Sequence, residues 1–180
     1  MLSHPDIERI LFTPEEIRTR VAEVAEQISA DYAGREPLLI SVLKGSVFFL
    51  ADLMRAMRIQ ATMDFLSISP FVPGGEPGLV RIVKDLDESI EARDVIVVED
   101  IVDTGLTLRY LLRTLATRRP RSLNVCTFLD RSVRRLADVP VRYRCFEIPD
   151  RFVVGYGLDS QQAYRNLSFV GVLKSGIVRA

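Results

Sequence analysis

The stretch that decides the fold is Val95-Ile96-Val97-Val98-Glu99-Asp100-Ile101-Val102-Asp103-Thr104-Gly105-Leu106-Thr107-Leu108. Its first four residues are branched and apolar, which predicts a strand buried on both faces, as in a parallel sheet. Leucines then recur at helical spacing, at Leu108, Leu111, Leu112 and Leu115. The stretch therefore predicts a strand, a short polar loop and a helix. The loop would lie at the carboxyl edge of the sheet, where open α/β sheets bind ligands.

Three carboxylates, Glu99, Asp100 and Asp103, lie within five positions beside the segment 104–107. A helix often begins with Asp or Thr as its N-cap, which explains Asp103 or Thr104 but not all three acids. Free backbone N–H groups at the start of a helix suit a phosphate. Acidic side chains beside them suit sugar hydroxyls or a hard cation with oxygen ligands. The pattern predicts a phosphorylated sugar ligand that binds together with a metal.

Composition predicts one soluble domain over residues 1–180, with 48% hydrophobic and 27% charged residues. Lys+Arg and Asp+Glu both number 24, so no basic field favours a nucleic-acid partner. The pairs Arg118-Arg119 and Arg134-Arg135 are interpreted as a solvated helix face. No signal peptide and no membrane span is expected. Cys126 and Cys145 lie in strand-like runs and are expected to be buried free thiols in a reduced cytoplasm. His4 is given no role.

A second strand–loop–helix unit precedes the first. Thr13 and Pro14 begin a predicted amphipathic helix that ends near Gly34. The run 37–43 predicts a buried strand, and the helix after it contributes core residues. The loop between them, Lys44-Gly45-Ser46, is open to two interpretations. It is either a tight turn with a solvated lysine or a backbone that approaches an anion, because glycine permits close contact.

Two further strands, 61–69 and 79–84, flank the segment 70–78, which has three prolines and three glycines. This composition predicts an exposed loop between antiparallel strands, either a passive connection or a lid. Additional strands are expected at 122–129, 143–148 and 169–173. No internal repeat or linker is apparent.

Three motifs occur in order and together resemble the hypoxanthine(-guanine) branch of the type I phosphoribosyltransferase family. They are Leu43-Lys44-Gly45, the acidic strand end with Asp103-Thr104-Gly105-Leu106-Thr107, and the segment 148–156 followed by Asp159. The resemblance covers most of the chain. It implies an α/β fold with a mainly parallel twisted sheet flanked by helices, a small hood and a flexible antiparallel hairpin lid. It also implies a cis peptide before Lys44 and a dimeric or tetrameric homo-oligomer.

The resemblance further implies a reaction in purine salvage. The 5-phosphoribosyl group of 5-phosphoribosyl 1-pyrophosphate (PRPP) would pass to hypoxanthine or guanine, with Mg²⁺ as cofactor. The PRPP-binding set would be Lys44, Gly45, Glu99, Asp100, Asp103, Thr104, Gly105, Leu106, Thr107 and Arg165. Within it, residues 104–107 would bind the 5′-phosphate, and Lys44, Gly45 and Arg165 the pyrophosphate. Glu99 and Asp100 would hold the ribose hydroxyls and their Mg²⁺, and Asp159 a second Mg²⁺.

The same resemblance assigns the purine site. Phe152 would stack on the base, the Val153 backbone would read its Watson–Crick edge, and Asp159 would belong to the same pocket. Asp103 would lie near N7 as the catalytic proton acceptor, since general acid–base work depends first on geometry. Arg131 stands where the family has a lysine that contacts the purine 6-oxo group, and arginine changes reach and geometry.

The lid also departs from the family pattern. Its nearest match to the family's Ser-Tyr is Ser69-Pro70-Phe71, which loses a hydroxyl and stiffens the backbone. Two alternatives therefore stay open beside the enzyme. One is a non-catalytic sensor of PRPP or nucleotide on the same fold, and the other is a phosphoribosyltransferase that prefers xanthine.

Overall fold

The computed structural model describes residues 4–70 and 80–177, with the side chains of positions 70 and 80 excluded. Nine strands form in this part of the chain: β1 Ile7–Phe12, β2 Leu38–Leu43, β3 Thr62–Pro70, β4 Val80–Lys84, β5 Asp94–Val102, β6 Ser122–Asp130, β7 Val141–Glu147, β8 Val153–Val154 and β9 Val170–Leu173. The helices are α1 Pro14–Asp31, α2 Val47–Ala56 and α3 Leu106–Ala116, with a short 3₁₀ turn at Ser132–Arg134.

Six strands form the main sheet in the order β4-β3-β2-β5-β6-β7. All neighbours in it are parallel except β3 and β4, which confirms the mainly parallel sheet. The apolar run at the start of β5 is fully buried, as a strand covered on both faces requires. β5 continues beyond this run to Val102, so Glu99 and Asp100 lie within the strand rather than after it.

The order of the strands reverses between β2 and β5. The chain leaves β2 through α2 towards β3 on one side, and leaves β5 through α3 towards β6 on the other. The carboxyl ends of β2 and β5 therefore open into a crevice, the usual ligand site of an open α/β sheet. This topology brings the loop at Lys44 and the loop at Asp103 to one edge.

Helix α1 begins as its sequence predicts. Thr13 is the N-cap, its Oγ1 accepts a hydrogen bond from Glu16 N at 3.3 Å, and Glu16 Oε2 accepts one from Thr13 N at 2.8 Å. This reciprocal pair is a capping box, with proline at the first helical position. The apolar stripe that includes Ile17 and Val24 packs into the core on one face of the sheet.

A smaller sheet of three strands, in the order β1-β9-β8, lies beside the main one. The resemblance predicted such a hood, but β1 itself was not predicted. Its residues show no strict alternation of exposed and buried positions, so the sequence has no clear period of two. β1 pairs antiparallel with β9 near the other end of the chain, and this long-range pairing explains the strand.

The predicted hairpin is confirmed as an antiparallel pair. Ser67 lies opposite Lys84 and Ser69 opposite Arg81. Phe71 and most of the predicted lid loop lie outside the described residues. The closing of this loop over a ligand therefore stays a prediction.

Two expectations about the rest of the chain can be compared with the structure. Cys126 and Cys145 are both buried and free, as predicted. Within residues 4–70 and 80–177, no helix combines the length and the apolarity needed to cross a membrane.

We predict that Thr13→Ala lowers the free energy of unfolding by about 1 kcal/mol, because it removes the side-chain acceptor of the capping box. Urea denaturation followed by circular dichroism measures this change. The control is Thr19→Ala, an exposed position on the same helix, which should leave stability unchanged or slightly raised. Equal losses in both variants would contradict a capping role for Thr13.

Candidate active site

Gly45, in the loop after β2, lies in close contact with two other parts of the chain. A Cβ on Gly45 would overlap the carboxylate of Asp100. A Cβ on Gly157, whose φ is +98°, would overlap the Gly45 carbonyl. Gly157 has a positive φ and meets backbone, so only glycine fits there, whereas a side chain on Gly45 would displace the Asp100 carboxylate. These two contacts join the loop after β2, the strand β5 and the segment after β8. Three parts of the chain that are distant in sequence therefore meet at one point.

Glu99 and Asp100 are neighbours on β5 and so face opposite sides of the sheet. Asp100 lies against Gly45, whereas Glu99 lines a cavity beside the loop that follows β5. Burial, reinforced by the Asp100 charge, raises the pKa of Glu99 well above its ordinary value. Burial also raises the pKa of Asp100, although the Ile101 N–H bond and the Arg165 charge oppose it. Both acids are thus held where a bound cation or hydroxyl donor would favour their ionised form.

Two arginines hold Asp103. Its Oδ2 lies 3.4 Å from Arg131 Nη1 and 3.4 Å from Arg134 Nη1. Its Oδ1 is buried and has no hydrogen-bond partner among the described residues. One oxygen is therefore fixed by two cations, while the other is free to accept a proton or hydrogen bond from a ligand.

The arginines of the segment 131–135 form contacts that the sequence did not predict. Arg131 is buried, and its Nη2 donates to the Arg151 carbonyl at 2.7 Å. Arg134 reaches Asp150 at 3.9 Å as well as Asp103. The prediction of a solvated helix face is wrong for Arg135, which is partly buried and pairs with the buried Asp130. Arg134 is exposed, as predicted, although it also contacts Asp103 and Asp150.

The loop after β5 leads directly into α3. Gly105 is the N-cap with φ +78° and has no side chain that could cap the helix, although Thr104 Oγ1 accepts a long hydrogen bond from Leu106 N at 3.5 Å. The first N–H groups of a helix lack intrahelical partners, so they are available to an anion. A cavity of about 200 Å³ lies in front of them and contains the predicted phosphate segment. Its lining residues are Val42, Ile68, Glu99, Ile101, Val102, Asp103, Thr104, Gly105, Thr107 and Leu108.

On the other side of the crevice, the segment 159–165 meets Lys44. Arg165 Nη2 lies 2.7 Å from Asp159 Oδ1, and Arg165 Nη1 donates to the Gly157 carbonyl at 2.6 Å. Gln162 Oε1 accepts from Arg165 Nη2 at 3.2 Å and from Lys44 Nζ at 3.5 Å. The two predicted pyrophosphate ligands thus share one neutral acceptor.

The peptide bond between Leu43 and Lys44 is cis, as the resemblance implied. This bond lies at the start of the predicted pyrophosphate loop.

The predicted purine-binding residues lie at the start of the small sheet. Phe152 is 41% exposed, so its ring is accessible to a ligand. Val153 is buried and paired with Val172 in β9. Of the two predicted lid residues, Ser69 is at the end of β3 and Phe71 lies outside the described residues.

The described part of the chain contains no group of three His, Cys, Asp or Glu side chains that could hold a metal ion. Glu99, Asp100 and Asp159 therefore do not form a single three-ligand protein site. Each of them still offers oxygen to a hard cation that completes its shell with ligand phosphates and water, the usual mode of Mg²⁺.

A larger cavity of about 580 Å³ lies elsewhere, between α1, α2 and the segment 166–168. None of the predicted site residues lines it. Its walls are mainly apolar and include Ile17, Val21 and Phe48. The chemistry-bearing side chains converge instead on the smaller cavity and the adjacent loops, so we assign the active site there.

The sequence did not predict a role in this site for two of its residues. Arg134 was interpreted as solvated, and Gln162 belongs to no motif that carries chemistry. The arginine pair was visible in the sequence, but nothing in it pointed to Asp103. The contacts of both residues depend on chain segments that meet only in the folded protein.

Comparisons with known proteins agree with this geometry. A family model described as the phosphoribosyl transferase domain matches residues 10–161. The hypoxanthine-guanine phosphoribosyltransferase of Mycobacterium avium is 47% identical over 175 residues, which cover 93% of this chain and 86% of that protein.

Solved structures give the same result. A hypoxanthine phosphoribosyltransferase from Staphylococcus aureus aligns with a TM-score of 0.94 and 40% identity, covering 98% of this chain and 97% of that one. The hypoxanthine phosphoribosyltransferase of Trypanosoma cruzi, in complex with the product IMP, aligns with a TM-score of 0.93 and 43% identity, covering 97% and 98%. From its fold, its site and these matches, the chain belongs to the phosphoribosyl transferase domain family.

Proposed function

We propose that this protein transfers the 5-phosphoribosyl group of PRPP to N9 of hypoxanthine or guanine. The products are IMP or GMP and pyrophosphate, so the reaction recovers free purine bases as nucleotides. The Mycobacterium avium relative is named for both bases, the Staphylococcus aureus and Trypanosoma cruzi proteins are named for hypoxanthine, and IMP is the product bound in the Trypanosoma cruzi structure.

The observation that carries the proposal is the state of Asp103. Its Oδ2 is held by Arg131 and Arg134, and its Oδ1 is buried without a partner in the described ranges. Asp103 lies three residues before Leu106, where α3 begins, and the first N–H groups of a helix have no intrahelical partners. A fixed proton acceptor beside a phosphate-binding loop fits base-catalysed glycosyl transfer.

In the proposed step, purine N9 bonds to C1′ of the ribose while the bond from C1′ to the pyrophosphate oxygen breaks. The electron pair of that bond stays on pyrophosphate. The proton on N7 passes to Asp103 as the purine becomes positively charged, and Asp103 returns it in the reverse direction. Charge develops on the ribose, and fixed groups around it stabilise the transition state.

The PRPP-binding roles follow the elements of the crevice. The N–H groups and hydroxyls of residues 104–107 bind the 5′-phosphate, Glu99 and Asp100 accept from the ribose hydroxyls, and Lys44, Gly45 and Arg165 bind the pyrophosphate. The cavity in front of α3 and the proximity of Lys44 to Arg165 support this arrangement.

For the base, we assign stacking to Phe152 and recognition of the Watson–Crick edge to the Val153 backbone. Arg131 donates to the 6-oxo group. Its Nε is buried and lacks a hydrogen-bond partner within residues 4–70 and 80–177, which supports a donor reserved for a ligand. The ion pair between Arg131 Nη1 and Asp103 supports a purine site in which the proposed donor and the proposed N7 acceptor are neighbours.

Mg²⁺ is the cofactor that these residues would hold, at Glu99 and Asp100 together with the ribose hydroxyls, and at Asp159 beside the pyrophosphate. The fit rests on the donor set, because carboxylate oxygens are the ligands that Mg²⁺ prefers, and on the position of Asp100 against Gly45 and of Glu99 beside the cavity in front of α3. Bound Mg²⁺ would neutralise charge on the departing pyrophosphate.

We also propose that the protein works in the cytoplasm as a homo-oligomer, with small molecules as its only substrates. Two buried free thiols are consistent with a reducing compartment. Val47 and Phe48, which are exposed at the start of α2, supply apolar surface for contact between copies.

The reaction is tested by nucleotide formation from PRPP and Mg²⁺ with hypoxanthine, guanine, xanthine or adenine. We expect turnover with hypoxanthine and guanine, and a loss of kcat by about 10²- to 10⁴-fold in Asp103→Asn, because the proton acceptor is gone. Asp138→Asn, an exposed acid near the same loops, serves as control and should retain full activity.

Three outcomes would contradict the proposal in different ways. Absence of turnover with every base, despite PRPP binding, would favour the sensor. A preference for xanthine would change the substrate but keep the reaction. Full activity in Asp103→Asn would remove Asp103 from the mechanism.

The role of Arg131 predicts a change in KM for the base that is much larger than any change in KM for PRPP. Arg131→Met should raise KM for hypoxanthine at least about 10-fold, because a buried acceptor on the purine loses its charged donor. KM for PRPP should stay within about twofold. Arg131→Lys keeps a donor and should lose less than Arg131→Met, as measured by steady-state kinetics with each substrate varied in turn. Equal effects on both substrates would indicate a general structural role.

The cofactor assignment predicts that removal of divalent ions with EDTA abolishes turnover and that added Mg²⁺ restores it. Without metal, repulsion between the PRPP phosphates and the acids of the site is not balanced. Asp100→Asn should raise the Mg²⁺ concentration needed for half-maximal activity, whereas Asp138→Asn should not. Full activity in EDTA would exclude Mg²⁺ as cofactor.

A further inference from the structure

Gln162 lies between the two cations that the proposed function assigns to pyrophosphate. Its Oε1 accepts from Arg165 Nη2 at 3.2 Å and from Lys44 Nζ at 3.5 Å. Lys44 comes from the loop after β2 and Arg165 from the segment after β8, so the amide oxygen connects two loops. It stands where these two side chains would both meet an oxygen of a bound anion.

The backbone holds Gln162 in this place. Its φ is +67°, in the left-handed region, and its N–H donates to Asp159 Oδ2 at 2.7 Å. Asp159 in turn pairs with Arg165 at 2.7 Å. The side chain is therefore directed towards the cations by a turn that is tied to the same ion pair.

Gln162 has a neutral side chain between two cations, Arg165 and Lys44, and it therefore leaves their charges available to a ligand. Arg165 is already paired with one carboxylate, Asp159, whereas Lys44 forms no ion pair in the described part of the chain. A neutral amide satisfies a donor of each cation without cancelling its charge. The Arg165 Nε is also buried and unpaired among the described residues, so this guanidinium retains a further free donor.

From these contacts we infer that Gln162 sets the affinity for the pyrophosphate group. In the free protein its amide oxygen keeps Lys44 and Arg165 side by side and stands in for a pyrophosphate oxygen. Binding of pyrophosphate or PRPP displaces it, because a doubly charged oxyanion group attracts both cations far more than an amide does. The inference rests on the proposed function, since it assumes that pyrophosphate occupies this crevice.

The test is Gln162→Glu, which keeps the size of the side chain and adds a charge. A carboxylate here would form ion pairs with Lys44 and Arg165 and would compete with the ligand. The matched control is Gln161→Glu. Gln161 is also exposed and has φ +52°, but within the described residues its side chain contacts neither cation. Both variants therefore change the net charge equally in the same turn and the same backbone region.

Binding of inorganic pyrophosphate in the presence of Mg²⁺ is measured by isothermal titration calorimetry, and KM is measured for PRPP and hypoxanthine. We expect Gln162→Glu to weaken pyrophosphate binding and to raise KM for PRPP by about 3- to 10-fold, as for partly exposed ion pairs. KM for hypoxanthine should stay within about twofold. Gln162→Ala should weaken binding less than Gln162→Glu, and Gln161→Glu should change neither quantity beyond about 1.5-fold.

Equal effects of Gln162→Glu and Gln161→Glu on pyrophosphate binding would overturn the inference and leave the proposed function intact, provided that the wild-type protein turns over. A wild-type protein that neither binds pyrophosphate nor forms nucleotide would overturn both. Thermal unfolding of each variant, followed by circular dichroism, verifies that the compared proteins are folded.

Discussion

The close packing of the Gly45 backbone between Asp100 and Gly157 is the constraint on which the rest of the site depends. Because a side chain on either glycine would displace the Asp100 carboxylate or the Gly45 backbone, the absence of side chains lets the loop after β2 lie directly against β5 and against the segment after β8. The change of strand order between β2 and β5 opens the crevice, and the two glycine contacts bring its loops close together. The residues proposed to bind the different parts of PRPP therefore come from different parts of the chain.

The electrostatics of the crevice are arranged for charged ligands rather than for stability. Burial raises the pKa values of Glu99 and Asp100, and a buried charge such as that of Glu99, which no basic group offsets among the causes of its shift, is unfavourable. A metal ion or ribose hydroxyls would restore the interactions that water provides elsewhere. The first N–H groups of α3 likewise lack intrahelical partners, and their positive partial charge favours an anion. The site is thus preorganised for a ligand that brings both anionic and hydroxyl groups.

The segment 131–135 has an organising role of a different kind. Arg131 ties Asp103 to the backbone of Arg151, immediately before the exposed ring of Phe152. Arg134 adds a second contact to Asp103 and reaches the loop at Asp150. The proposed proton acceptor and the proposed stacking residue are therefore linked through one buried guanidinium. This linkage gives a physical reason why arginine, with its planar fork of donors, can stand where the family pattern has lysine.

The local pattern of the chain determined the main elements. Buried apolar runs predicted β2, β5 and β6, helical spacing and an N-cap predicted α1, and the motifs predicted the carboxyl edge as the site. These features can be predicted because they depend on residues that are close together in the sequence. β1, the contact of Arg134 with Asp103 and the position of Gln162 were decided by tertiary structure. Each depends on contacts between segments far apart in sequence, and no local period or propensity records such contacts.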